Sequence, residues 1–182
     1  MHERGRSQQI QTVCGQAADN TDAVLLAVTC EFIMIADREQ KIYFAGAIRG
    51  GREDVQLYGE LVRYLAGFGR VLTDHVADPQ LDVAGDEGIS EQAIFARDLA
   101  WLDSADLVIA EVTTPSLGVG YEIAAAEARG KPILCLFRTT EGRRSLSAMI
   151  DGNPALSVRR YADLAEAKAH IAAFVDALGG RG

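Results

Sequence analysis

The chain has 182 residues, 48% of them hydrophobic and 24% charged, with a formal charge of −8. That length suits one domain with a sizeable buried core. The acidic balance argues against a nucleic-acid polymer as partner, because phosphate backbones need a basic surface. It leaves room for one small nucleotide held by backbone N–H groups and an arginine or two. The three cysteines, Cys14, Cys30 and Cys135, are odd in number and widely spaced, with no CxxC pair. They point to a reducing compartment, cytoplasmic or, in a eukaryote, also nuclear, and to no zinc site.

Residues 1–40 begin rich in Gln, Ala and Asp and turn apolar without a clean period. The run Ala23 to Ala36 is broken by Glu31 and is too short for a membrane span. It starts late for a signal peptide, and no small-x-small cleavage site follows. This extension is expected to be poorly tied to the domain and dispensable for activity, with Met34 an alternative start.

From Lys41 the pattern becomes regular. Lys41 to Gly46 reads as a buried strand, and Asp54 to Gly67 as an amphipathic helix with Asp54 its expected N-cap. Val71 and Leu72 mark a second strand. An Asp- and Gly-rich loop leads to a helix from about Ser90 to Ser104, capped by Ser90. Leu107 to Ala110 is a third strand, continuously apolar as a parallel strand covered on both faces should be. A helix is predicted from Gly120 to Arg129 and stopped by Gly130. Ile133 to Phe137, a short helix over Ser145 to Ile150, a strand at Leu156 to Arg160 and a helix from Asp163 to Leu178 follow, with residues 179–182 a frayed tail. The alternation predicts an α/β fold: a doubly wound, Rossmann- or flavodoxin-like five-stranded parallel sheet with helices on both faces. Ligands then belong beyond the carboxyl ends of the strands, near a topological switch point.

Two loops sit at that end. Gly46-Ala47-Ile48-Arg49-Gly50-Gly51-Arg52 can bring backbone close to a phosphate and adds a positive charge at Arg49. A plain β-to-α turn explains the glycines about as well. The loop is not a GxGxxG fingerprint, so no dinucleotide cofactor is indicated. The second loop, Thr113 to Gly120, joins a strand end to a helix start through Ser116 and Gly118, which suits an anion. Glu122 falls in the expected first turn of that helix. An isolated glutamate there would simply complement the helix dipole, but a phosphate-suited loop in front of it raises the functional reading. Taken singly, Asp98 reads as a solvated helix residue, Tyr43 and Trp101 as core, His75 as a loop or pocket-wall residue, and Asp106 as a cap.

Several runs in order resemble one family closely: Ile48-Arg49-Gly50-Gly51-Arg52-Glu53-Asp54, Val71-Leu72-Thr73-Asp74-His75-Val76, Pro115-Ser116-Leu117-Gly118-Val119-Gly120-Tyr121-Glu122, and Ile133-Leu134-Cys135-Leu136-Phe137-Arg138 with Leu146-Ser147-Ala148-Met149-Ile150. The family is that of the 2′-deoxynucleoside 5′-phosphate N-hydrolases, within the nucleoside 2-deoxyribosyltransferase group, and the likeness runs from about Lys41 to Ile150. The resemblance implies that Glu122 is a carboxylate nucleophile, Tyr43 its orienting hydrogen-bond donor and Asp98 the acid that helps the base leave. It assigns Gly46, Ile48, Arg49, Gly50, Ser116 and Gly118 to the nucleotide-holding loops, and His75 and Ile94 to the base pocket. It gives Ser147 to the phosphate of the neighbouring subunit, hence a homodimer. No cofactor or metal is implied. Ala47 stands where the family loop has Ser, Asp74 where a Glu is familiar, and Phe95 and Ala96 where polar residues are.

The implied reaction is hydrolysis of a (2′-deoxy)nucleoside 5′-monophosphate through a glycosyl-enzyme on Glu122. Alternatives are a deoxyribosyltransferase acting on free nucleosides, a CMP-cleaving ribonucleotide hydrolase and a non-catalytic nucleotide-binding module. A cytokinin-activating hydrolase is disfavoured by the missing Gly-Gly-x-Gly-Thr signature.

Overall fold

A computed structural model describes residues 39–48, 54–78, 88–139 and 145–179. The expectations for residues 1–38, for the Arg49 and Gly50 positions and for the tail lie outside the described residues. Five parallel strands, β1 (Lys41–Ala45), β2 (Arg70–Val71), β3 (Leu107–Glu111), β4 (Ile133–Arg138) and β5 (Ser157–Tyr161), form one sheet in the order β2-β1-β3-β4-β5. The helices are α1 (Val55–Leu65), α2 (Glu91–Ser104), α3 (Leu117–Ala128), α4 (Ala148–Asp151) and α5 (Leu164–Gly179), with a 3₁₀ turn at Asp74–Ala77. This is the doubly wound arrangement expected, and its strand order reverses between β1 and β3.

Side chains alternate along each strand, so the sheet carries two cores. Ile42, Phe44, Leu107 and Ile109 pack with Tyr58, Leu61 and Leu65 of α1 and with Ala167 and Ile171 of α5. Tyr43, Ala45, Val108 and Ala110 pack with Leu102 of α2 and with Val119, Ile123 and Ala126 of α3. Each fully buried Leu or Ile in these layers contributes about 1.5–3 kcal/mol relative to exposure. Parity therefore fixes which layer each functional side chain enters: Tyr43 faces α2 and α3, whereas Glu111, in step with Leu107 and Ile109, faces away from them.

The short strand β2 is extended by a side chain. Thr73 Oγ1 accepts from Phe44 N at 2.9 Å and donates to Phe44 O at 2.7 Å, continuing the ladder after the backbone turns away. Asp106, in the bend between α2 and β3, accepts from Lys41 N at 2.8 Å and so pins the start of β1.

Helix ends differ from the sequence reading in two instructive places. Ser90 Oγ accepts from Ala93 N at 3.2 Å and caps α2 as expected. The next cap is Ser116, whose Oγ accepts from Val119 N at 3.4 Å, so α3 starts at Leu117, three residues before the expected Gly120. The two glycines at 118 and 120 lower helix propensity and hid this first turn. Glu122 consequently sits in the second turn, where a helix-dipole role weakens. Asp54 precedes α1 but makes no side-chain cap hydrogen bond. Its carboxylate is turned to Thr114 and Arg138 instead. The stop at Gly130 is as expected: its φ of 65° is the left-handed conformation that a Cβ disfavours.

Candidate active site

At the β1/β3 switch point, Tyr43 comes up from β1 and Glu122 comes across from α3. The Tyr43 hydroxyl donates to Glu122 Oε1 at 2.6 Å. Burial, then the adjacent Glu122 carboxylate and its hydrogen bond, push the Tyr43 phenol far above its ordinary range. It therefore stays protonated and acts only as a donor here. Glu122 is itself pushed up, from 4.5 to about 7. Burial is the main cause, the Tyr43 hydrogen bond opposes it, and the Asp98 carboxylate adds to it. Glu122 is only half-buried, so a ligand can reach it.

Asp98 is supplied by α2, one residue after Arg97. Arg97 Nε donates to Asp98 Oδ1 at 2.9 Å, with both side chains about a quarter exposed at 26%. The same guanidinium lies 4.6 Å from the centre of the Trp101 ring and has its Nη2 3.4 Å from His75 Nε2. His75 and Trp101 rings are 5.4 Å apart. His75, Arg97, Trp101 and Asp98 thus form one wall near Tyr43 and Glu122, where a planar ring could stack. Ile94 is half-buried one turn before Asp98 on α2. Arg97 and Trp101 were not legible as site residues: an Arg-Asp pair on a helix reads as solvated charge, and a tryptophan reads as core.

The loop residues divide. Gly46 is buried, and a Cβ there would lie 3.1 Å from the Tyr58 ring and 3.2 Å from Val76 Cγ1. Packing alone therefore accounts for this glycine. Ile48 packs on the α1/α5 core. Ser116 and Gly118 open α3, and Gly118 stands one turn above Glu122 on the same face. Among the described residues, a Cβ at Gly118 would meet only Ser116 Oγ, at 3.7 Å.

Ser147 lies elsewhere. It caps α4, accepting from Met149 N at 3.3 Å. With Ser116, Gly120, Ile123, Ala124 and Ile150 it lines a mainly apolar groove of about 710 Å³ between α3 and α4. On a helix turning about 100° per residue, Gly120 and Ala124 face nearly opposite to Glu122, and Ile123 lies about a quarter turn from it. Leu117 (97% exposed) and Met149 (80% exposed) stand beside this groove. The structure therefore brings Tyr43, Glu122, Asp98 and His75 together and leaves Ser147 of the same chain on the other side of α3. Among the described residues there is no cluster of His, Cys, Asp and Glu suited to a metal ion, and no helix is long and apolar enough to cross a membrane.

Residues 42–155 match the sequence model of the family described as nucleoside 2-deoxyribosyltransferase. A 5-hydroxymethyl-dUMP N-hydrolase of Mus musculus is 60% identical over 112 residues, which cover 61% of this chain and 64% of that protein. The match thus spans slightly less than two thirds of the mouse relative. A putative 2′-deoxynucleoside 5′-phosphate N-hydrolase 1 of Trichoplax adhaerens is 49% identical over 114 residues, covering 63% of this chain and 76% of that one. Among solved structures, a CMP N-glycosidase of Clostridium botulinum aligns with a TM-score of 0.53 at 20% identity, covering 74% of this chain and 99% of that one, a likeness of fold.

Proposed function

The chain belongs to the nucleoside 2-deoxyribosyltransferase family, and from that premise we propose that it hydrolyses the N-glycosidic bond of (2′-deoxy)nucleoside 5′-monophosphates. The observation that carries the reading is the half-buried Glu122 carboxyl, pushed to about 7 and held by the Tyr43 hydroxyl at 2.6 Å, with Asp98 beside it. An ionised Glu122 attacks C1′ as the bond to the base nitrogen breaks, passing through an oxocarbenium-like state. Asp98 gives a proton to the departing nitrogen. In the second step Asp98 takes a proton from water, the hydroxide joins C1′, and Glu122 leaves as a carboxylate. The products are free base and (deoxy)ribose 5-phosphate. Tyr43 orients Glu122 throughout, and His75 with Ile94 borders the base.

The phosphate falls to Arg49, Gly50, Ser116 and Gly118. Ser116 Oγ accepts from the helix amide, which leaves its proton to donate to a phosphate oxygen. We assign Ser147 to the site of a second copy, in a homodimer. The faces of α3 support this: Gly120 and Ala124, which line the groove with Ser147, point nearly opposite to Glu122. Gly120 supports it too: among the described residues a Cβ there would meet nothing within 4 Å, yet glycine costs a helix about 1 kcal/mol against alanine. Close approach by a partner gives that cost a reason. A reducing compartment, cytoplasm or nucleus, suits the free thiol of Cys135, which burial pushes up to about 12.

The test is a panel of deoxy- and ribonucleoside 5′-monophosphates, 5-hydroxymethyl-dUMP included, with the matching free nucleosides, monitored for released base. Release from monophosphates and little from nucleosides supports the reading. Equal use of nucleosides with transfer to an added base would make the chain a transferase, and no release from any member would leave a binding module. For the dimer, Ser147→Ala and Glu122→Gln protein are mixed after subunit exchange is demonstrated. Recovered activity supports sites shared between subunits, and none would overturn it.

A further inference from the structure

The fully or nearly buried polar side chains among the described residues are Asp54, Thr73, Glu111, Thr113 and Thr114, and four of these five belong to one network. Thr114 Oγ1 donates to Asp54 Oδ2 at 3.0 Å, and Arg138 Nη2 forms an ion pair with Asp54 Oδ1. Arg138 N donates to Thr113 Oγ1 at 2.7 Å, and the Thr113 hydroxyl donates onward to Glu111. Tyr161 OH completes the Glu111 carboxylate at 2.9 Å. None of these atoms reaches Tyr43 or Glu122, so the mechanism above leaves the network without a role.

Burying an ion pair rarely adds stability over an apolar packing of similar volume, but it can fix one geometry among several. What Asp54 fixes is read from the chain. It is only 5% exposed and forgoes the cap of α1 to reach two other strand ends. Thr114 stands two residues before Ser116, Arg138 ends β4 on the way to Ser147, and Asp54 itself follows the Ile48-Arg49-Gly50 run. One carboxylate thus joins the start of α1, the Thr114–Ser116 segment before α3 and the end of β4.

We propose that Asp54, clamped by Arg138 and Thr114, is the positioning residue of the phosphate grip. It sets the Thr114–Ser116 segment so that Ser116 and the first amides of α3 converge on the substrate's 5′-phosphate. The proposal rests on the nucleotide-hydrolase reading. Its consequence is selective: loosening the clamp weakens capture of the phosphate while the Tyr43–Glu122–Asp98 group keeps its chemistry.

The experiment uses 2-deoxyribose 5-phosphate, which carries the phosphate and no base, as a calorimetric probe, together with steady-state base release from monophosphates. In Asp54→Asn and in the milder Thr114→Val, affinity for the probe falls and KM rises by about tenfold or more, while kcat falls by less than about threefold. The pH midpoint of kcat/KM stays where the wild-type chain has it, and Arg138→Lys, which keeps the charge, loses less affinity than Arg138→Met. Undiminished probe affinity in folded variants overturns the proposal, as does a fall in kcat as large as the rise in KM. If Asp54→Asn does not fold, Thr114→Val decides. A wild-type chain that neither binds the probe nor releases base would instead remove the functional reading, and this inference with it.

Discussion

Two glutamates sit within one β-loop-α unit, and they do different work. Glu111 ends β3 and is wholly buried, with Thr113 N, Thr113 Oγ1 and Tyr161 OH all donating to it. Glu122 lies on the other layer of the sheet, half-buried, with the Tyr43 hydroxyl donating to it. Burial raises both carboxyls above their ordinary range, so a raised pKa alone does not single out the one proposed as nucleophile. Access and donor count do. A carboxylate held by three donors and closed to solvent cannot be reached by a substrate. One that is half-buried and oriented by a phenol can be.

The sharpest break between the two comes from Glu122→Gln. Base release should fall by about 10⁴-fold or more while probe binding persists, since an activated nucleophile is lost and the phosphate grip is not. Near-normal release would return Glu122 to the same structural class as Glu111.

Next in size are the neighbours. Tyr43→Phe and Asp98→Asn should each lower kcat by roughly 10²-fold. Tyr43→Phe has a second signature. The Tyr43 hydrogen bond holds the Glu122 carboxyl down against burial, so its loss should move the rising limb of kcat/KM to higher pH. In the wild-type chain that limb should run through about 7, because attack needs the ionised form. A limb that does not move in Tyr43→Phe counts against the orienting role.

Glu111→Gln is the converse test. The amide would place N–H donors against donors, costing about 1–3 kcal/mol, read as a lowered melting temperature. The kcat/KM midpoint should stay near the wild-type value. A shifted midpoint would mean that the buried network feeds the reacting centre electrostatically.

The smallest effect concerns stability. Glu122 holds its proton more tightly folded than unfolded, since its folded pKa is about 7 against an ordinary 4.5. The unfolded chain binds fewer protons between those values, so this group's contribution is most favourable below 4.5 and declines as pH rises through about 7. Glu122→Gln removes the dependence. Its melting temperature should gain on the wild type between pH 5 and pH 8, and a constant difference across that range would contradict the raised carboxyl.

Much of this was written in the sequence. Apolar runs four to six residues long, alternating with capped amphipathic stretches, leave few topologies besides a parallel sheet, and the five strands appear within a residue or two of their expected places. Ordered runs from Ile48 to Ile150, the one ending at Glu122 among them, pointed to the family because several matches in register are specific where one glycine loop is not. Tertiary structure decided the rest. Asp54 read as a helix cap because local pattern cannot see Arg138 or Thr114, which are distant in sequence and adjacent only once β3 and β4 pair. Gly46 read as part of a nucleotide-holding loop or a plain turn, and the Tyr58 ring that crowds it arrives from α1. Arg97 and Trp101 joined the wall of the site through the placement of His75 beyond β2. Ser116 displaced Gly120 as the start of α3 because tertiary packing of Val119 and Ile123 outweighs two glycines. In each case the deciding contact is long-range, and no local period encodes which distant atom a side chain will meet.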